Sequence, residues 1–154
     1  MRLFLLRHGK AVKPEEWKGG DDERPLTGGG VDHATRVLAA LKPFITASEI
    51  LTSPWLRARQ TAEIASSAWQ LPLRQVPWLA GEAASDAERA GHLPSRSDLV
   101  LVGHEPDLSR LVQHLCGATV TMKKCSLAML EGRPEANAMN LICLLPPKVV
   151  LGLI

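Results

Sequence analysis

Leu3, Phe4, Leu5 and Leu6 run into Arg7, His8 and Gly9, and the same arrangement returns where Leu99, Val100, Leu101 and Val102 run into Gly103, His104, Glu105 and Pro106. Short, unbroken apolar runs ended by glycine read as strands buried on both faces. In open α/β sheets the working crevice lies beyond the carboxyl ends of the strands, so two histidines delivered from distant parts of the chain can meet over one site. Arg7 adds a fork of permanently charged donors suited to phosphate oxygens. Beside a neutral imidazole, it points to a nucleophile aimed at a phosphoryl group.

Working outward from these two strands, the chain alternates. Residues 10–25 are polar and read as a long loop, a length usual for functional or mobile segments. Thr27 suits a helix N-cap, and Val31, Ala34, Val37, Leu38 and Leu41 recur at helical spacing before Pro43, so a helix is expected over 28–41. Residues 49–53 read as a second strand. Pro54 then stands where a helix can start, with Ala58, Ala62, Ile64 and Ala65 on one face. A short strand is expected over 73–76, a capped helical turn over 85–92, and a helix from Pro106 to Gly117 with Leu108, Leu111, Val112 and Leu115 inward. Residues 126–130 and 138–144 read as a hairpin around Gly132, Pro134 and Asn137. This order implies a three-layer α/β/α fold, with a mainly parallel sheet, an antiparallel edge and no cap insertion. The apolar tail 146–154 suits either a strand or a bridge to a second subunit.

The 154 residues fit one domain over 1–154. A net charge of +2, from 18 basic and 16 acidic residues, gives no basic block for nucleic acid or an anionic membrane, so any anion preference must be local. No stretch approaches the ~20 apolar residues of a membrane span, and the opening apolar run is too short for a secretory signal; a cytoplasmic location is expected. Cys116, Cys125 and Cys143 form no close pair and sit among apolar neighbours, which suits buried, reduced thiols. Cys125, after Lys123 and Lys124, is the one with some case for reactivity.

Four motifs now stand in order: Arg7-His8-Gly9; Arg24-Pro25-Leu26-Thr27 with Gly30; Ser53 through Ala62, containing Arg57, Gln60 and Thr61; and Gly103-His104-Glu105-Pro106. Together they resemble the histidine phosphatase superfamily, and the short chain is most similar to its SixA-like phosphohistidine phosphatase branch. The resemblance implies that His8 attacks phosphorus and is transiently phosphorylated, with Arg7, Arg57 and His104 as phosphate ligands. It implies no metal and no cofactor, since two arginines and imidazolium donors take the place of a cation around the equatorial oxygens. Of the helix arginines, Arg57 is expected to point inward and Arg59 to solvent, because Ser53 and Pro54 put Arg57 near the helix start. Thr27 is read as a cap, and Trp55, next to Arg57, as a packing or rim residue.

A general acid is expected in the segment after the third strand, where Glu82 leads; Glu105 and Asp107 are rivals that could equally complement a helix dipole. An imidazole leaving group needs little acid assistance, an alkyl ester much more. A phosphohistidine on a protein, such as a histidine-phosphorylated carrier or signalling protein, is therefore the expected substrate, and Lys10, Lys13, Lys18 and Arg24 on the loop could steer an acidic partner. The alternatives are a small-molecule phosphomonoesterase or sugar-phosphate phosphatase and, from another class, an inactive phosphate-binding module.

Overall fold

The computed structural model describes residues 1–152 apart from the side chain of Glu82. Its strands are β1 (Arg2–Arg7), β2 (Glu49–Thr52), β3 (Leu73–Gln75), β4 (Leu99–Gly103), β5 (Leu127–Gly132) and β6 (Met139–Leu145). They form one sheet in the order β3-β2-β4-β1-β5-β6, parallel from β3 to β1 and antiparallel from β1 through β6. This is the mixed, three-layer architecture that the alternation implied. The apolar runs of β1 and β4 are continuous because helices cover both faces of the central strands.

Side chains alternate across the pleat. Leu3, Leu5, Leu99 and Leu101 face one layer, made of α3 (Asp86–Gly91) and α4 (Asp107–Cys116). Phe4, Leu6, Val100 and Val102 face the other, made of α1 (Gly28–Leu41), α2 (Leu56–Trp69) and α5 (Pro147–Gly152). Leu3, Phe4, Leu5 and Leu6 are all fully buried. Each contributes about 1.5–3 kcal/mol relative to an exposed side chain, which anchors the strand that carries the first histidine.

Thr27 caps α1 by accepting from Gly30 N–H at 2.9 Å, and Ser85 forms a capping box with Glu88 on α3. Gly30 has a second role. A Cβ there would lie 2.1 Å from the Lys10 carbonyl oxygen, so only glycine lets α1 press against the chain leaving β1.

The described part of the tail is helical, which corrects the expectation of a strand. Residues 147–152 form α5, whose Val150 is buried in the same apolar layer as α1; Leu153 and Ile154 lie outside the described residues. The loop 10–25 is tied down by two 3-10 turns and an Ala11–Leu26 bridge. No described helix is long and apolar enough to cross a membrane. Cys125 is buried, whereas Cys116 and Cys143 are only half-buried; all three thiols are free.

Candidate active site

Register brings the two histidines together. β1 and β4 pair in parallel with Arg7 opposite Gly103, so His8 and His104 are the next residues out of adjacent strands. The ladder continues one step further: His8 N–H donates to Gly103 O at 3.1 Å, and on the far side of β4 Ser53 N–H donates to Val102 O at 3.0 Å. The imidazole rings stand 5.2 Å apart between centroids. Both line a cavity of about 450 Å³ with Arg7, Arg57 and Trp55, bordered by Pro14, Asp21, Arg24, Gly81, Asp107, Arg110 and Lys124. A groove of about 550 Å³ between α1 and α2 is larger but is lined by residues such as Val31, Ala39 and Ile64 and holds no comparable chemistry.

The His8 tautomer follows from its partner. Nδ1 is 2.7 Å from the Gly9 carbonyl oxygen, which can only accept, so Nδ1 carries the hydrogen and Nε2 the lone pair. Burial pushes the His8 pKa down to about 3; the Gly9 bond opposes that, while Arg57, Arg7 and Lys124 add to it. His104 also falls to about 3, through burial first and then through His8 and Arg57, with Asp21 opposing. Burial thus holds both rings toward the neutral form.

His104 has its own orienting contact. Nε2 is 2.8 Å from the hydroxyl of fully buried Ser53, and that oxygen already accepts from Trp55 N–H at 3.2 Å. A Ser53 proton directed at Nε2 would leave the ring hydrogen on Nδ1, where it can face an anion. Nδ1 of His104 is buried without a partner, and so are Nε of Arg7 and Nε of Arg57. Orphaned buried donors are costly. Three on the side chains of one cavity mark a place built for an anion.

The two guanidiniums are held differently. Arg7 Nη1 donates to Met122 O at 2.7 Å, and Met122 N–H in turn donates to Glu105 Oε1 at 3.0 Å. Glu105 also accepts from the Ser109 hydroxyl at 2.6 Å, so it is committed to structure rather than free as an acid. Arg57 is buried, as expected, and Arg59 is turned outward toward Glu63. Arg57 donates through Nη1 to Asp21 O at 2.6 Å and through Nη2 to Asp21 Oδ2 at 3.1 Å, and its Cζ lies 4.7 Å from the Trp55 ring centre. Trp55 also packs against His104 with the rings tilted 55° and their centroids 4.8 Å apart, so it is a wall of the site. Burial lowers the pKa of both arginines, opposed by Glu105 at Arg7 and by Asp21 at Arg57; neither approaches neutrality at pH 7.

Sequence reasoning missed several supporting residues. Buried Thr61 donates to Arg57 O at 2.7 Å and accepts from Gly9 N–H at 3.0 Å, so it joins the Arg57 turn to the His8 turn. Gln60 accepts from Leu26 N–H at 2.8 Å. Their place in the third motif was the only sign. Asp21 and Arg89 gave none. Arg89, buried on α3, donates to the carbonyls of Trp78 and Gly81 and pairs with Asp86 and Asp107, both at 3.4 Å. It thereby fixes the 3-10 turn Gly81–Ala83. Gly81 adopts φ +44° there, and a side chain would meet the Trp55 ring at 3.2 Å. The Glu82 side chain, the leading acid candidate, lies outside the described atoms, while the turn carrying it borders the cavity through Gly81. Cys125 has no nucleophilic character, since burial pushes its thiol up to about 12. Of the loop cations, Lys13 pairs with Glu16, and Arg24 donates to Asp21 and Val12.

The histidine phosphatase superfamily (branch 1) profile matches residues 3–90, which covers more than half the chain and stops short of the motif at His104. The chain belongs to the histidine phosphatase superfamily. An uncharacterized protein of Picosynechococcus is 35% identical over 98% of this chain and 99% of its own length. Phosphohistidine phosphatase SixA of Escherichia coli is 29% identical over 75% of this chain and 74% of that protein. The structure of the protein histidine phosphatase SixA complexed with tungstate superposes with a TM-score of 0.86 at 23% identity, over 96% of this chain and 98% of that one. A putative alpha-ribazole-5'-P phosphatase of Escherichia coli shares the fold at a TM-score of 0.70 and 20% identity, over 96% and 97% of the two chains. Within the superfamily the chain falls in the SixA-like branch. Activity of the histidine-phosphatase type goes with that membership.

Proposed function

We propose that this chain is a metal-independent phosphatase that acts through a phosphohistidine intermediate on His8 and removes phosphate from phosphohistidine borne on a protein. The observation that carries the proposal is the set of orphaned donors on Arg7, Arg57 and His104 lining one cavity with an imidazole whose Nε2 is unprotonated. Such donors attract phosphoryl oxygens and repel a cation.

In the first step the Nε2 lone pair bonds to phosphorus while the bond to the substrate's imidazole nitrogen breaks, and that nitrogen takes up a proton. In the second, water attacks phosphorus, the bond to His8 breaks, and inorganic phosphate leaves with His8 neutral again. Arg7 and Arg57 balance the charge on the equatorial oxygens, and His104 donates through Nδ1–H. Glu82 is the proposed carrier of the proton in both steps. An imidazole leaving group makes only a modest demand on it.

The cavity of about 450 Å³ is near the small end of ligand pockets, and one comparison favours a protein-borne phosphoryl group. The relative SixA is itself named a phosphohistidine phosphatase. The test is a panel of kcat/KM values on phosphoramidate, a phosphohistidine peptide, a sugar phosphate and an alkyl phosphate. The phosphoramidates should lead by at least tenfold. Preference for the sugar or alkyl ester would make the chain a small-molecule phosphomonoesterase, and tight phosphate binding with no turnover of any of them would make it a silent phosphate-binding module.

A further inference from the structure

Beside the candidate site lie two grooves, of about 700 and 420 Å³, which share His33 and Lys124 among their lining residues. Arg7, Lys123 and Lys148 line the first and Lys10 the second, and neither has an aspartate or glutamate among its lining residues. Arg7 and Lys124 also line the candidate active site, so a strip of cationic surface continues from the phosphate cavity to the start of α5.

The chain as a whole is nearly neutral at +2, so this concentration is a matter of placement. The fold gathers it from three separate stretches, around Arg7 and Lys10, at Lys123–Lys124 and at Lys148. The Lys123–Lys124 turn is fastened beside the nucleophile: Ser126 N–H donates to Lys123 O at 2.9 Å, while Cys125 N–H donates to Arg7 O at 3.1 Å and His8 O at 3.2 Å. Lys10, Lys123, Lys124 and Lys148 are exposed, and among the described residues none of them joins an ion pair. Partial burial lowers the Lys124 pKa, and Arg7, Lys10 and Arg24 stand close enough to lower it further. Like charges held together without counter-charges cost the folded state energy, and an acidic partner offsets that cost.

We infer that Lys10, Lys123, Lys124 and Lys148 form a docking surface for the acidic face of a phosphorylated protein, which presents its phosphoryl group to the cavity from this side. The inference rests on the proposed phosphatase reading for its substrate, though not for its binding. Concave grooves edged by Pro146 and Pro147 suit a protein surface more than a flat bilayer, and a net charge of +2 is meagre for nucleic acid.

The test uses the full chain and the double variant Lys123→Glu/Lys148→Glu, which leaves Arg7, His8, Arg57 and His104 in place. On phosphoramidate the variant should keep kcat/KM within about twofold, whereas on a phosphohistidine peptide flanked by glutamates it should lose about 10- to 100-fold. The wild-type advantage should vanish at ~0.5 M salt, where screening shortens to a few ångströms. Equal losses on both substrates, or none on the peptide, would overturn the inference. Binding of fluorescent poly-glutamate, read by anisotropy, decides the matter even if no phosphohistidine is turned over: the wild type should bind at least tenfold more tightly than the variant. Equal binding, or tighter wild-type binding to phosphatidylserine vesicles or duplex DNA than to poly-glutamate, would equally refute it.

Discussion

Removing one hydroxyl should disarm His104 without touching any charged group. Ser53→Ala deletes the oxygen that stands 2.8 Å from His104 Nε2 and accepts from Trp55 N–H at 3.2 Å. His104 Nε2 then loses its partner in a buried place and Trp55 N–H in a partly buried one, and an unsatisfied buried group costs about 1–3 kcal/mol of stability. The catalytic consequence is separate. Without the Ser53 proton at Nε2 the ring is free to carry its hydrogen there, which turns the Nδ1 lone pair toward the bound phosphoryl oxygen. A hydrogen bond to a charged group is worth about 1.5–3 kcal/mol, so kcat/KM should fall about 10- to 100-fold. The assay is phosphate release from phosphoramidate at a temperature where the variant is fully folded. Beside it, ¹⁵N spectra should report the Nδ1–H tautomer at His104 in the wild type and a mixture in the variant, and Ser53→Thr, which keeps the hydroxyl, should recover most of the activity. A variant with lowered Tm and wild-type kcat/KM would make Ser53 merely structural. An Nε2–H tautomer in the wild type would refute the reasoning outright.

Other outcomes follow from the same geometry. Asp21→Ala frees the Arg57 guanidinium from a half-exposed carboxylate; such pairs are worth up to about 1 kcal/mol, so tungstate should bind up to about fivefold more tightly by calorimetry, and weaker binding would mean that Asp21 positions Arg57 instead of competing with the anion. His8 and His104 are neutral when folded down to about pH 3, whereas the unfolded chain protonates both near 6.5. Their contribution to stability is thus intact above that pH and is lost as pH falls from about 6.5 toward 3, by up to ~1.4 kcal/mol per pH unit for each ring. In denaturant melts His8→Asn should reduce that slope, and an unchanged slope would place the titration elsewhere. Gly30→Ala sets a methyl against the Lys10 carbonyl and should cost about 1–3 kcal/mol, seen as a lower Tm; a stabilised protein would show that α1 can move aside.

The legible parts of the site were those encoded locally. Buried strands that end in glycine located His8 and His104, and Pro54 distinguished inward Arg57 from outward Arg59, because a helix start sets which residues of its first turn face the sheet end. The cap at Thr27 was equally readable. What the sequence withheld depends on long-range approach. Asp21 meets Arg57 across 36 residues. Arg89 acts on carbonyls and carboxylates from three other segments, and the tail becomes helical through the burial of Val150 beside α1, with too few residues for a helical period to show. The basic strip was not legible as a unit for the same reason, since Lys10, the Lys123–Lys124 pair and Lys148 meet only in the fold.

The central claim is that phosphorus passes through Nε2 of His8. It is tested most directly by mixing the protein with phosphoramidate, quenching in alkaline denaturant and mapping phosphate by peptide mass spectrometry. The account predicts an acid-labile, alkali-stable phosphate on the peptide carrying His8, formed at least as fast as turnover, and neither label nor turnover in His8→Ala. Undiminished turnover by His8→Ala, or a label on any other residue, would contradict it.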